Sequence, residues 1–197
     1  MINNDAIPDL YLGIQYGDFD GKIKASSSYD ANHDVRGCKL NCIMPKKSSM
    51  PKESNEKGET PESKESKEPK ELIETFHSSA WVAARYDKNP WIQVNLGKTL
   101  LISGVSIQGR HDMNQYVTKF RVLYSNDGEK FWNISEFEGN SDNKTVVKRS
   151  FPYPVYATYI RIQILECYAE PSLRFDLHYI PNEIPDLIKN KILSKFV

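Results

Sequence analysis

No stretch of this sequence reaches the roughly 18 consecutive apolar residues that a membrane-spanning helix needs, and Met1 to Asp20 lacks the basic start and apolar run of a secretory leader. If Met1 is the natural start, the chain is expected in the cytosol. If it was cut from a longer secreted chain, it belongs outside the cell or at its surface. An excess of charge is missing too: Lys+Arg 26 balance Asp+Glu 26, so no field of one sign is present to attract nucleic acid or an acidic substrate. Cysteine is scarce and odd in number. Cys38, Cys42 and Cys167 allow one internal disulfide and leave a thiol over, and "CKLNC" offers too few ligands for the usual four-ligand structural zinc. No Ser/His/Asp order, Gly-rich phosphate loop or pair of carboxylates rises above background, which argues against an enzyme.

What is present changes sharply along the chain. Pro45 to Glu71 is built almost wholly from Lys, Glu, Ser and Pro; it has no apolar periodicity and nothing to bury, so a disordered insertion over 45–75 is expected. Pro51, Pro61 and Pro69 argue against a long charged helix there. Its functional reading is a flexible tether or docking arm. The plainer one is a tolerated surface insertion, since lengthening a loop costs little.

From Trp81 onward the pattern has period two. Ile92, Val94 and Leu96 share one face, as do Leu101, Val105 and Ile107; Phe120, Val122 and Tyr124 follow, then Ile160, Ile162 and Ile164. The last run sets Leu173, Phe175, Leu177 and Tyr179 against a polar side of Arg174, Asp176 and His178. Turn chemistry separates the runs at Gly97, at Ser125 to Gly128, at Glu138 to Asn143 and at Pro152 to Pro154. Trp81, Trp91 and Trp132 read as core or half-buried strand residues. Short half-buried strands with regular turns mean an all-β antiparallel sandwich or barrel. One helical pattern closes the chain: in the tail 181–197, Ile184, Leu187, Ile188, Ile192 and Phe196 recur near helical spacing, with Lys189, Lys191 and Lys195 opposite. Such a basic amphipathic helix can lie on an anionic membrane or partner groove, or pack on its own domain.

The order of phrases "LGIQYGDFDGKIKASSSYD", "SSAWVA", "WIQVNLGK", "GVSIQGR", "YVTKFRVLYSNDGEKFW" and "YIRIQILECYAEPSLRFDLHY" resembles the discoidin domain, also called the coagulation factor V/VIII C-type domain. The resemblance implies an eight-stranded antiparallel jelly-roll β-sandwich over residues 1–180, interrupted by the insertion and followed by the tail. It also implies a non-enzymatic binding or adhesion module whose loops at one end form a ligand rim. Members bind anionic phospholipid, glycans such as galactosides, collagen or other proteins, and the resemblance allows a structural calcium ion with no other cofactor. The disulfide that ties the ends of most extracellular members has no counterpart: Leu10 and Tyr11 precede the opening phrase, Tyr179 and Ile180 close the last strand, and Cys167 stands where many members carry tryptophan.

Three matching rim loops supply the candidate ligand contacts. The first offers Asn32, His33 and Arg36; the second Arg110, His111, Asp112, Met113, Asn114 and Gln115; the third Tyr168 and Glu170. The second loop is similar to the "QGRGDADQWVT" type of the amoebal discoidin lectins, with Arg110, Asp112 and Gln115 in matching places. A sugar site wants planar donors and acceptors for vicinal hydroxyls beside an aromatic face, which this loop and Tyr116 provide. Alternatively, Arg110 and Asp112 pair only to shape the turn. A lipid site wants large apolar tips, and only Met113 and Val35 qualify. Three readings follow: a module for a carbohydrate or protein surface, a peripheral module for anionic phospholipid aided by the basic tail, and a structural interaction domain of a larger cytosolic assembly. Arg174 is expected to be structural, His77 a loop residue, and the sequons at Asn133 and Asn143 relevant only to a secreted chain.

Overall fold

The computed structural model of the chain describes residues 10–41 and 80–181. Eight strands form within them: β1 (Leu10–Tyr11), β2 (Ile23–Ala25), β3 (Trp81–Val82), β4 (Trp91–Gln108), β5 (Tyr116–Ser125), β6 (Trp132–Glu138), β7 (Val147–Tyr168) and β8 (Ser172–Ile180). Every strand pairing is antiparallel. No α-helix occurs among the described residues, only 3-10 turns at Ile14–Tyr16 and Val35–Gly37. The expected insertion and helical tail, with Cys42 and His77, lie outside the described residues.

The long strands β4 and β7 tie the sandwich together, because they pair with each other along both halves. The first half of β4 carries β2, and the second half of β7 carries β5 and then β6, which gives one layer. The second half of β4 carries β8, to which β1 and β3 are added, and this gives the other. Between the halves the register shifts from Asn95 to Leu100, around Gly97, whose φ of +72° few other residues tolerate. Thus the break expected at Gly97 is a bulge inside one strand. The "PYP" turn likewise proves to be strand. Pro152 and Pro154 sit on the half of β7 that pairs only with β4, before β5 joins at Tyr159, so their missing N–H groups cost the sheet little.

Trp81, Phe120, Phe151, Phe175, Ile92, Ile107, Ile160 and Ile162 are fully buried between the layers. A second register shift, between Ile102 and Gly104, reverses the side-chain phase of β4, so Ile102 rather than Leu101 joins Val105 and Ile107 in the core cluster. The largest departure from simple alternation is β8. Arg174, Asp176 and His178 were expected on the polar side of this strand, yet all three are buried, Asp176 and His178 under the chain before β2 and Arg174 against Gly109 and Asn143. The Ile14 N–H donates to Asp176 Oδ1 at 3.3 Å, and the Tyr11 ring lies 4.7 Å from that of His178. Trp132 is 61% exposed instead of half-buried, since it begins the edge strand β6. Trp81 is buried, with its indole N–H bonded to Ser27 O at 2.9 Å, and Trp91 is half-buried beneath Arg161.

Candidate functional site

The second loop leaves β4 at Gly109 and returns into β5 at Tyr116. Gly109 is required by close approach: a Cβ there would lie 2.7 Å from Asn143 Cα and from Tyr116 Cβ. Backbone bonds from Arg110 N to Gln115 O (2.9 Å) and Gln115 N to Met113 O (2.8 Å) close the loop. Inside it, Arg110 donates from Nε and Nη2 to the two carboxylate oxygens of Asp112 at 2.7 and 3.0 Å, and from Nη1 to Gln115 Oε1 at 3.2 Å. The Arg110 side chain is only 12% exposed and that of Asp112 52%. His111, Met113 and Asn114 are exposed, and Gln115 is half-buried.

Loops two and three meet directly. Ser172 Oγ donates to Gln115 Oε1 at 3.1 Å, and the Tyr116 and Tyr168 rings stack at 5.1 Å with 8° between planes. Tyr168 remains half exposed, so its outer face is open to solvent. The first loop reaches the third through β3: Val82 N donates to His33 O, and Ala83 N to Pro171 O. Within the first loop Asp30 accepts from the Asn32 and His33 N–H groups and from His33 Nδ1, the last bond holding its carboxyl below the usual range. Arg36 pairs with Asp34 and donates from Nη2 to Ala31 O at 3.2 Å. Val35 packs against the core, which removes it as an apolar tip. Asn32 is exposed.

Sequence reasoning passed over several rim residues. Arg85 reaches from the segment after β3 to Glu170, Nε to Oε1 at 2.8 Å, and its guanidinium lies 5.5 Å from the centre of the Tyr29 ring. Asn143, read only as turn and sequon, donates from Nδ2 to the carbonyls of Arg110 and Met113, both at 2.9 Å. Arg174 donates from Nε to Gly109 O at 2.7 Å, the structural role expected of it. No local pattern marks such contacts, since their partners lie 30 to 85 residues away. Beside the third loop, a cleft of about 310 Å³ opens between residues 84–90 and 164–171, lined by Arg85, Lys88, Glu166, Cys167 and Glu170 among others.

The rim's electrostatics follow from these pairs. Arg36, Arg85 and Arg110 are each held by a carboxylate, so the loop end projects no concentrated positive field. Among the described residues no three acidic, His or Cys groups stand together, and the carboxylates of Asp30, Asp34, Asp112 and Asp142 are engaged by protein donors. Cys38 is buried in the core, where desolvation pushes its thiol far up.

Residues 52–177 match the family model described as the F5/8 type C domain. Strands β1 and β2 and the first loop precede the matched stretch, yet they pair with β8 and β4. Lactadherin of Sus scrofa is 38% identical over 109 residues, covering 50% of this chain and 27% of that protein. Lactadherin of Mus musculus is 40% identical over 108 residues, covering 50% and 23%. The chain therefore spans about a quarter of the length of these relatives. Discoidin II of Dictyostelium discoideum superposes with a TM-score of 0.64 at 23% identity, over 82% of this chain and 56% of that one. The family 32 CBM of C. perfringens NanJ, solved in complex with galactose, gives 0.54 at 17% identity, over 80% and 94%. At such identities the likeness is one of fold.

Proposed function

Because the chain belongs to the F5/8 type C domain family, a family of non-catalytic modules, we propose that it binds neutral carbohydrate on a glycan or glycoprotein surface through the loop end of its sandwich. One observation carries the reading: the rim arginines are neutralised by short carboxylate pairs, while the loop tips present amides, an imidazole and a stacked tyrosine. Arg110 and Asp112 act as the central contacts. Each orients the other, and the guanidinium keeps N–H groups beyond those used inside the loop. Gln115, Asn114 and His111 supply further hydrogen bonds to hydroxyls. Tyr168, braced by Tyr116, gives the aromatic face for the apolar side of a sugar ring. Asn32, His33, Arg36 and Glu170 stand farther along the rim as secondary contacts, and the galactose complex of the structurally similar C. perfringens module makes galactose the first probe.

Among the described residues, the anionic phospholipid reading rests on the 48% exposed Met113; the basic tail that it also invokes lies outside them. Full burial of such a side chain gains about 1.5 to 3 kcal/mol, and stable anchoring takes a second signal, which paired arginines do not supply. Isothermal titration with galactose and disaccharides, run beside flotation with phosphatidylserine vesicles, tests the choice. Arg110→Ala with Asp112→Ala is expected to weaken galactose binding at least about tenfold, as loss of charge-assisted bonds of about 1.5 to 3 kcal/mol requires. Salt-sensitive vesicle binding with no sugar response would overturn the proposal.

A further inference from the structure

The loop from Arg110 to Gln115 is not held by its own strands alone. The side-chain amide of Asn143 donates both of its hydrogens to this loop, one to Arg110 O and one to Met113 O, each at 2.9 Å. These carbonyls bracket the segment that carries His111 and Asp112, so a single amide pins both of its ends. Asn143 is itself fixed from several sides. Asp142 Oδ1 accepts from the N–H groups of Lys144 and Thr145, both at 2.6 Å, and Asp142 Oδ2 from Thr145 Oγ1 at 2.7 Å. Gln108 Nε2 donates to Lys144 O at 2.6 Å, and Asn140 Nδ2 to Thr145 O at 2.7 Å. Behind them the buried Arg174 donates from Nη2 to Asn143 O at 3.4 Å and from Nε to Gly109 O at 2.7 Å.

We propose that Asn143 is the positioning residue of the ligand loop: it sets where Arg110 and Asp112 stand, without touching ligand. The functional half of this inference rests on the sugar-binding reading; the structural half does not. The reasoning is geometric. Hydrogen bonds to a sugar demand placement within a fraction of an ångström, and a shift of about 1 Å in positioned groups costs up to about a hundredfold. The residue must also be a double donor. Aspartate has the same shape but presents oxygens to two carbonyl oxygens, so the latch becomes a repulsion, whereas alanine removes it without adding charge.

The test compares wild type with Asn143→Asp and Asn143→Ala by hydrogen exchange and by titration with galactose. Faster exchange is expected at the Arg110 and Gln115 amides, about tenfold or more, with the amides of Phe120 and Val122 in β5 unchanged. Galactose binding is expected to weaken about tenfold or more in both variants. Unchanged loop exchange overturns the inference whatever happens to binding, and so does undiminished galactose binding by a variant whose loop has loosened. Failure of wild type to bind any sugar overturns the sugar-binding reading instead, and the exchange result then decides the latch alone. Should Asn143→Asp or Asn143→Ala lose protection throughout β5, Thr145→Val takes its place. It removes only the hydroxyl bond to Asp142, and smaller changes of the same pattern are expected.

Discussion

Mild acid is expected to weaken this fold, and His178 is the cause. This residue is 2% exposed within β8, with Nε2 2.7 Å from Ser106 Oγ and the Tyr11 ring against its own. Desolvation first, and the nearby Lys148 charge second, lower its pKa from 6.5 to about 4. The unfolded chain therefore takes up a proton near pH 6.5 that the folded chain refuses until about pH 4. Stability is at its full value above 6.5, falls as the pH drops toward 4, and levels off once both states are protonated. At about 1.4 kcal/mol for each pH unit, the whole window is worth about 3 kcal/mol, a large share of the roughly 5 to 15 kcal/mol that holds a domain. Asp127, Asp142 and Glu136, with pKa values lowered by hydrogen bonds, lose their contributions as the pH falls below 3.8 for the aspartates and 4.5 for the glutamate, at the acid end of this window. Urea unfolding followed by tryptophan fluorescence, in steps from about pH 7 to about pH 4.5, reads the slope. His178→Gln should start less stable and show a much flatter slope. The same slope in both proteins, or an imidazole that titrates near 6.5 in the folded state, refutes the reasoning.

Two further outcomes follow from side chains away from the rim. Arg161 lies between the Trp91 and Phe131 rings, at 4.2 and 3.8 Å from their centres, and donates from Nε and Nη2 to Gln93 Oε1. Arg161→Lys keeps the charge and loses the planar stack and the paired bond, so a loss of about 1 to 2 kcal/mol is expected in urea unfolding; an unchanged midpoint refutes the stacking argument. Alkylation should separate Cys38 from Cys167, because Cys38 is buried and Cys167 is exposed with its thiol raised by partial burial and by Glu170. Peptide mass spectrometry should find Cys167 modified slowly at neutral pH and faster at higher pH, and Cys38 only on unfolding. Equal rates at the two cysteines would contradict the packing.

Much of the framework was legible because it is local. The alternation at Phe120, Val122 and Tyr124, and at Ile160, Ile162 and Ile164, marks one buried face of a strand. Continuity through Gly97 and through the prolines was not, since a bulge and an edge position depend on which strand lies alongside. Nor was the double burial of β8, because the cover over Asp176 and His178 comes from the start of the chain, 162 residues from Asp176 at Ile14, and Arg174 is held by Gly109 and Asn143. The rim divided in the same way. Arg110, Asp112 and Gln115 stand within one short run, and their mutual bonds are local. Asn143 and Arg85 act across the fold, and nothing beside them in sequence marks it.

A recurring device ties such loops to themselves. Asp30, Asp34, Asp87, Asp127 and Asp142 each accept from a backbone N–H two or three residues ahead, the side-chain turn that aspartate favours. Every loop so tied gives up conformational freedom on folding instead of on binding. A module that meets neutral sugar gains little from charge attraction and has few apolar contacts to exploit, so its affinity is sensitive to any ordering cost. Loops prearranged by their own carboxylates reduce that cost. The same economy explains why the rim arginines face carboxylates inside the protein: the pairs that neutralise the field also hold the donors in place. If the sugar-binding proposal holds, the specificity of this polar rim is expected to depend on where Asn143 and Arg174 hold the loop that carries Arg110 and Asp112.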